Sequence, residues 1–174
     1  MKKSILMSAF LLTSAFSLIN YSQAQAVSPF NNMLTLSNGG IMSQQMQMEE
    51  EAAVHSKVLK AFRRTFKVSV PVRWSTDENF YLAYFEKDGI QHRITYRKNG
   101  QMIQTMKTYS VKHLDREVKA RVEEAYDGYD ITGATEVITG QETVYFVNIE
   151  SRRKLKELIV FNGDVTLRKE FMLQ

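Results

Sequence analysis

The stretch "FYLAYFEKDG", Phe80 to Gly89, has a counterpart in "TVYFVNIESR", Thr143 to Arg152, and this pair decides the fold. In the first, Tyr81, Ala83 and Phe85 alternate with Phe80, Leu82 and Tyr84. In the second, Tyr145, Val147 and Ile149 alternate with Val144, Phe146 and Asn148. A period of two marks a strand with one face buried, because successive side chains point to opposite sides of a sheet. Outward from Gly89, Ile90, His92, Ile94 and Tyr96 alternate with Gln91, Arg93, Thr95 and Arg97. Laid with Phe80 over Thr143, both copies run on to an Asn-Gly pair, Asn99-Gly100 and Asn162-Gly163. Asp88-Gly89 is a further hairpin signal, and Arg152-Arg153 marks the corresponding turn. Four strands are expected up to Tyr109 and four more up to Leu173.

A helical pattern precedes each set of four. Val54, Val58, Ala61, Phe62, Thr65 and Phe66 form one apolar stripe at three- and four-residue steps. This helix is expected from near Gln45, with Glu49, Glu50 and Glu51 early and Lys60, Arg63 and Arg64 late, matching the helix dipole. Pro71 lies beyond its end. Leu114, Val118, Val122 and Ala125 form a second stripe starting near Ser110 or His113, with Ser110 a candidate cap and Gly128 the stop. The expected class is α+β. A tandem repeat of a helix plus four antiparallel strands, 46–109 and 110–174, builds an eight-stranded antiparallel sheet with two helices on one face. One continuous sheet is expected because four strands and one helix would leave a long exposed edge.

The N-terminus reads as an export signal over 1–26. Lys2 and Lys3 precede an apolar stretch from Ile5 to Ile19, and Ala24-Gln25-Ala26 offers a small-residue cleavage site near Ala26. The expected location is periplasmic or secreted. Residues 27–45, rich in Ser, Asn, Gln and Gly, read as a flexible linker before a single domain over 46–174. No stable membrane span is expected in the mature chain. There is no cysteine, which excludes a lipidated Cys, disulfides and thiolate metal sites. Loss of Lys2 and Lys3 lowers the formal net charge from +4 to +2, too little for a nucleic-acid footprint.

Catalytic chemistry has few candidates. His55, His92 and His113 lack the i, i+4 spacing of a metal site, and no His-Glu-x-x-His occurs. His92 alternates with Ile90 and Ile94 and reads as a packing residue, while His55 and His113 read as solvated. Asp127 and Asp130 around Gly128 suit a turn better than a calcium loop. No catalytic residue, cofactor or metal site is assigned, and the expectation is a non-enzyme.

If Tyr81, Ala83 and Phe85 pack under the helices, then Phe80, Leu82, Tyr84 and Phe146 point away from them, with Arg93 and Arg97 beside them. Tyr, Phe and Arg together are the side chains of protein interfaces. These six residues are the candidate binding set for an unknown protein or peptide of the cell envelope. Trp74 reads as core, and Arg152 to Lys156 as a solvated hairpin tip. Two alternatives stand beside this reading. One is a small-molecule or envelope-ligand binder with a pocket beneath Phe62, Phe66 and Val118. The other is a homodimer formed through sheet edges or open faces.

Several motifs carry a family likeness: Phe62 and Phe66 at the first helix end, "VRW" at Val72–Trp74, "YLAYF" at Tyr81–Phe85 and "ITYRKNG" at Ile94–Gly100. "AYDGYDI" at Ala125–Ile131, "VYFVNI" and "LIVFNGDV" continue it. From about Val58 to Leu173 the chain thereby resembles the PepSY-like family of small secreted bacterial proteins, also described as β-lactamase-inhibitor-like and common in the Bacteroidetes. Asp115 stands where that family often has a proline. The resemblance implies a two-copy α/β4 module with a long curved sheet, whose open face grips the enzyme in the inhibitor that lends its name. It implies no catalytic activity.

Overall fold

The structure, a computed structural model, describes residues 50–77 and 79–173. The export signal, its cleavage site, the linker and the expected helix start near Gln45 lie outside the described residues.

The strands are β1 (Arg73–Thr76), β2 (Phe80–Lys87), β3 (Ile90–Arg97), β4 (Met102–Tyr109), β5 (Asp130–Thr139), β6 (Glu142–Glu150), β7 (Lys154–Phe161) and β8 (Asp164–Met172). They form one open sheet whose spatial order is the sequence order, every pair antiparallel. The expected eight-stranded antiparallel sheet is therefore present. Two turns are built alike. Asp88 and Gly89 (φ 56° and 74°) and Asn162 and Gly163 (φ 50° and 87°) both place two left-handed residues between strands, the geometry that matches strand twist. The turn at Asn99-Gly100 is longer. Gly100 has a positive φ of 88°, its N–H donates to the Arg97 carbonyl, and the Asn99 side chain accepts from the Gln101 N–H at 2.9 Å.

That extra length corrects the sequence overlay. Buried Ala83 pairs with buried Ile94, and buried Val147 pairs with buried Leu158. Each residue lies 64 positions from its counterpart (83 to 147, 94 to 158), whereas laying Phe80 over Thr143 uses 63. A one-residue slip moves every side chain to the other face, so the overlay matched core positions to outward ones.

α1 (Ser56–Thr65) is shorter than the sequence suggests. Glu50–Ala52 forms a separate helical piece, and His55 caps α1 by accepting from the Lys57 N–H at 3.2 Å. The acids expected to serve its dipole act elsewhere: Glu50 accepts from the Trp74 N–H at 2.9 Å, and Glu51 pairs with Arg63. Val54, Val58 and Phe62 are buried in one cluster with Trp74, Ala83, Phe85, Ile94 and Tyr96. Trp74 is core, as expected, and meets Phe62 edge-on at 5.2 Å.

A 3-10 turn at Val111–His113 leads into α2 (Arg116–Ala125). Ser110 makes no side-chain capping bond. Asp115 is the cap, its carboxylate accepting from the Glu117 and Val118 N–H groups at 2.9 and 3.2 Å. Leu114, Val118 and Val122 share a second cluster with Tyr109, Ala134, Val147, Ile149, Leu158 and Val160. By register, every buried strand residue of both clusters, from Trp74 to Val160, falls on one face of the sheet. Among the described residues, no helix is long and apolar enough to cross a membrane.

Candidate interaction face

The other face contains none of the buried residues. Cross-strand register arranges its side chains in rows. One row runs Arg73, Tyr84, Arg93, Met106, Val137 and Val144 from β1 to β6. Beside it Leu82 lies opposite Thr95, which lies opposite Gln104 in turn, and Phe80 lies opposite Arg97. On the other side Gln91, Thr108, Thr135, Phe146, Ile159 and Thr166 form a row from β3 to β8. Thr108 and Thr135 are joined through their hydroxyls at 3.0 Å.

Of the six sequence candidates, Phe80, Leu82, Tyr84, Arg93 and Arg97 come together on β2 and β3. Phe146 occupies the same face three strands away on β6. Phe80, Leu82, Tyr84 and Phe146 are half-buried, while Arg93 and Arg97 are exposed. The Arg93 guanidinium lies 5.6 Å from the centre of the Tyr84 ring, within reach of a cation–π contact. Arg168 lies 5.2 Å from the centre of Phe146 and holds both oxygens of Glu157 at 2.7 and 2.8 Å. Arg73, Met106, Val137 and Arg168 belong to this face and are absent from the sequence candidates. Alternation along "MIQTMKTY" could have found Met106, but only register brings Arg73 beside Tyr84, and Arg168 reaches Phe146 from the register shift between Leu167 and Lys169.

The face that holds the buried strand residues carries a polar row across its middle: His92, Lys107, Glu136 and Tyr145 are successive cross-strand neighbours. Glu136 accepts from Lys107 Nζ at 3.1 Å and from the Tyr109 hydroxyl at 3.2 Å. Burial, reinforced by the Glu136 carboxylate, raises the pKa of both Tyr109 and Tyr145. His92 stacks on Phe85 with ring centres 4.5 Å apart, and its pKa is lowered by burial and by Lys107. It is a packing residue, as its alternation implied. His113 is not solvated: its Nε2 is buried, and its ring lies edge-on to Tyr109 at 6.3 Å. The hairpin tip is partly tied down as well. Lys154 and Lys156 pair with Glu170, and Lys156 lies over Tyr126 and Tyr129.

Among the described residues, the place expected for a pocket beneath Phe62, Phe66 and Val118 is divided: Phe62 and Phe66 line one cleft and Val118 lines another. One, of about 600 Å³, lies between α1 and the Val68–Trp74 segment and is lined by Leu59, Phe62, Phe66, Val70 and Trp74. The other, of about 430 Å³, is bounded by Asp115, Val118, Arg121, Tyr145 and Gly163. Among the described residues, no group of three or more His, Asp or Glu is placed to hold a metal ion.

No protein-family model matches the chain, and no curated protein matches it. Solved structures do. A DUF2874 family protein of Bacteroides ovatus superposes with a TM-score of 0.55 at 18% identity, covering 69% of this chain and 88% of its own. A BLIP-like protein of Bacteroides fragilis gives 0.54 at 18% identity, covering 69% and 86%. A Bacteroides eggerthii protein, named provisionally as periplasmic, gives 0.53 at 12% identity, covering 68% and 88%. At these identities the likeness is one of fold: the chain has the open-sheet α+β fold that a BLIP-like protein also has.

Proposed function

We propose that the chain is an exported, non-catalytic interaction module that binds a protein or peptide partner on the open face of its sheet. The observation that carries this reading is the band of Phe80, Leu82, Tyr84, Met106, Val137, Val144 and Phe146. No described element covers it, and Arg73, Arg93 and Arg97 interrupt it. Half-buried aromatic and apolar side chains interspersed with arginines are what protein interfaces use. The fold likeness to a BLIP-like protein supports the same reading, and the provisionally periplasmic neighbour supports export; cleavage near Ala26 rests on the sequence alone.

The architecture belongs to this proposal: two α/β4 copies, PepSY-like in pattern, with both helices on one face. Equal 64-residue spacing of paired core positions supports it. So does the placing of each Asn-Gly turn against its own helix, Gly100 at Lys57 of α1 and Gly163 at Arg121 of α2. The test is affinity capture from envelope extract with wild type beside a Tyr84→Ala/Phe146→Ala variant. A discrete partner held by wild type alone is expected; equal capture by both would sink the open face as the binding surface.

The α1 cleft favours a second reading, a binder of small apolar ligands. Saturable displacement of a fluorescent fatty acid, lost in Phe66→Asp, would select it. A homodimer through open faces or edges predicts a dimer in sedimentation.

A further inference from the structure

We infer that the open face over β1–β3 takes an extended acidic peptide segment of its partner, with carboxylates at two positions four residues apart and an apolar side chain midway. This rests on the open-face reading above and specifies its ligand. The two halves differ in how they treat charge at matching positions. In the second half Glu157, 64 residues beyond Arg93, is clasped by Arg168 and has Lys169 as its cross-strand neighbour. Its charge is answered within the molecule. In the first half the matching position is Arg93, and its neighbours across the strands are Tyr84 and Met106. Arg97, at the end of the same strand, faces Phe80. Among the described residues neither makes an ion pair, and Arg73 reaches only Glu50 at 3.9 Å. The complementary carboxylates therefore fall to the partner.

Spacing gives the segment its pattern. Arg93, Thr95 and Arg97 lie on one face of β3, and residues four apart on a strand are separated by about 13 Å. An extended peptide laid along β3 directs alternate side chains downward, so acids at the first and fifth positions meet Arg93 and Arg97. The third position then rests on half-buried Leu82, the neighbour of Thr95. Guanidinium favours carboxylate through bidentate pairing, and the apolar middle separates such a peptide from a simple polyanion.

The test uses protein expressed from the full-length sequence and three synthetic nonapeptides. These carry Glu-Ser-Leu-Ser-Glu, Gln-Ser-Leu-Ser-Gln or Lys-Ser-Leu-Ser-Lys at their centre, and binding is read by fluorescence anisotropy. The glutamate peptide is expected to bind saturably. Loss of each arginine–carboxylate pair weakens it about tenfold, equivalent to about 1.4 kcal/mol. The Arg93→Glu/Arg97→Glu variant, altered only at exposed positions, loses the glutamate peptide and gains the lysine one. The proposal is overturned by no saturable binding of the glutamate peptide, by unchanged affinity in the double variant, or by dextran sulfate binding as tightly as the peptide. Equal binding of glutamine and glutamate peptides, abolished by Tyr84→Ala/Phe146→Ala, also overturns it while leaving the open face as a binding surface.

Discussion

Tyr96 and His92 share β3, and each buries a polar atom that meets no partner among the described residues, the Tyr96 hydroxyl and His92 Nδ1. Burial pushes the Tyr96 pKa up to about 12, so the phenol stays neutral and its hydroxyl adds only a desolvation cost. Tyr96→Phe should therefore leave the melting temperature unchanged or raise it; a drop of several degrees would mean that the hydroxyl is satisfied in solution. His92 acts through pH. Its folded pKa lies below the unfolded value of 6.5, so the unfolded chain takes up the proton first. The resulting stability is complete above pH 6.5 and is lost as pH falls through the folded pKa. Glu170, held below its ordinary 4.5 chiefly by the hydrogen bond from Lys154, adds a loss only at lower pH. Melting temperature should fall between pH 7 and 5, and His92→Phe should flatten that slope. The glycines of the two Asn-Gly turns differ in a comparable way. A Cβ on Gly100 would sit 2.7 Å from the Lys57 carbonyl oxygen in addition to its φ of 88°, whereas one on Gly163 meets only the movable Arg121 guanidinium. Denaturation should show Gly100→Ala costing about 1–3 kcal/mol and Gly163→Ala less.

Among the elements, the strands were legible, while the break before Ser56 and the cap at Asp115 were not. Alternation along β2, β3 and β6 carries its own direction, so the residue pattern alone assigns Phe80, Leu82 and Tyr84 to the face opposite Ala83 and Phe85. Turn chemistry at Asp88-Gly89 and Asn162-Gly163 marks its own positions, since few residue pairs accept two left-handed conformations. Register is less local. The Asn99-Gly100 turn is one residue longer than its counterpart, and no propensity reports that length. Helix caps failed for a related reason: Glu50 and Glu51 look like first-turn acids, yet their partners, Trp74 and Arg63, are tertiary. Asp115 shows what a local cap contributes. Asp115→Ala removes the acceptor for two N–H groups of α2 and should cost about 0.5–2 kcal/mol in chemical denaturation, with Asp115→Asn largely restoring it.

At the level of the whole molecule, the first four strands meet the last four along the β4–β5 ladder, 105–109 against 134–138. α1 is anchored in a cluster on β1–β3, and α2 in a second cluster that includes the ladder's own Tyr109 and Ala134. Glu136 is a polar tie across this seam, beside the Thr108–Thr135 hydroxyl pair, accepting from Lys107 and Tyr109 of β4 at once. Glu136→Ala leaves both donors unanswered in a partly buried setting and should cost about 1–3 kcal/mol, with amide exchange rising first along β4 and β5. No single stretch of sequence could reveal this tie, because its members come from strands on either side of α2. The meander itself has a further consequence. A sheet whose spatial order repeats its sequence order asks each strand to find only the one just before it. Most ladders therefore close short loops at small entropic cost; the exception is β4–β5, which must wait for the α2 segment, Ser110–Tyr129. Such a chain can assemble hairpin by hairpin as it emerges from the ribosome, with one slow junction midway between two rapidly formed halves.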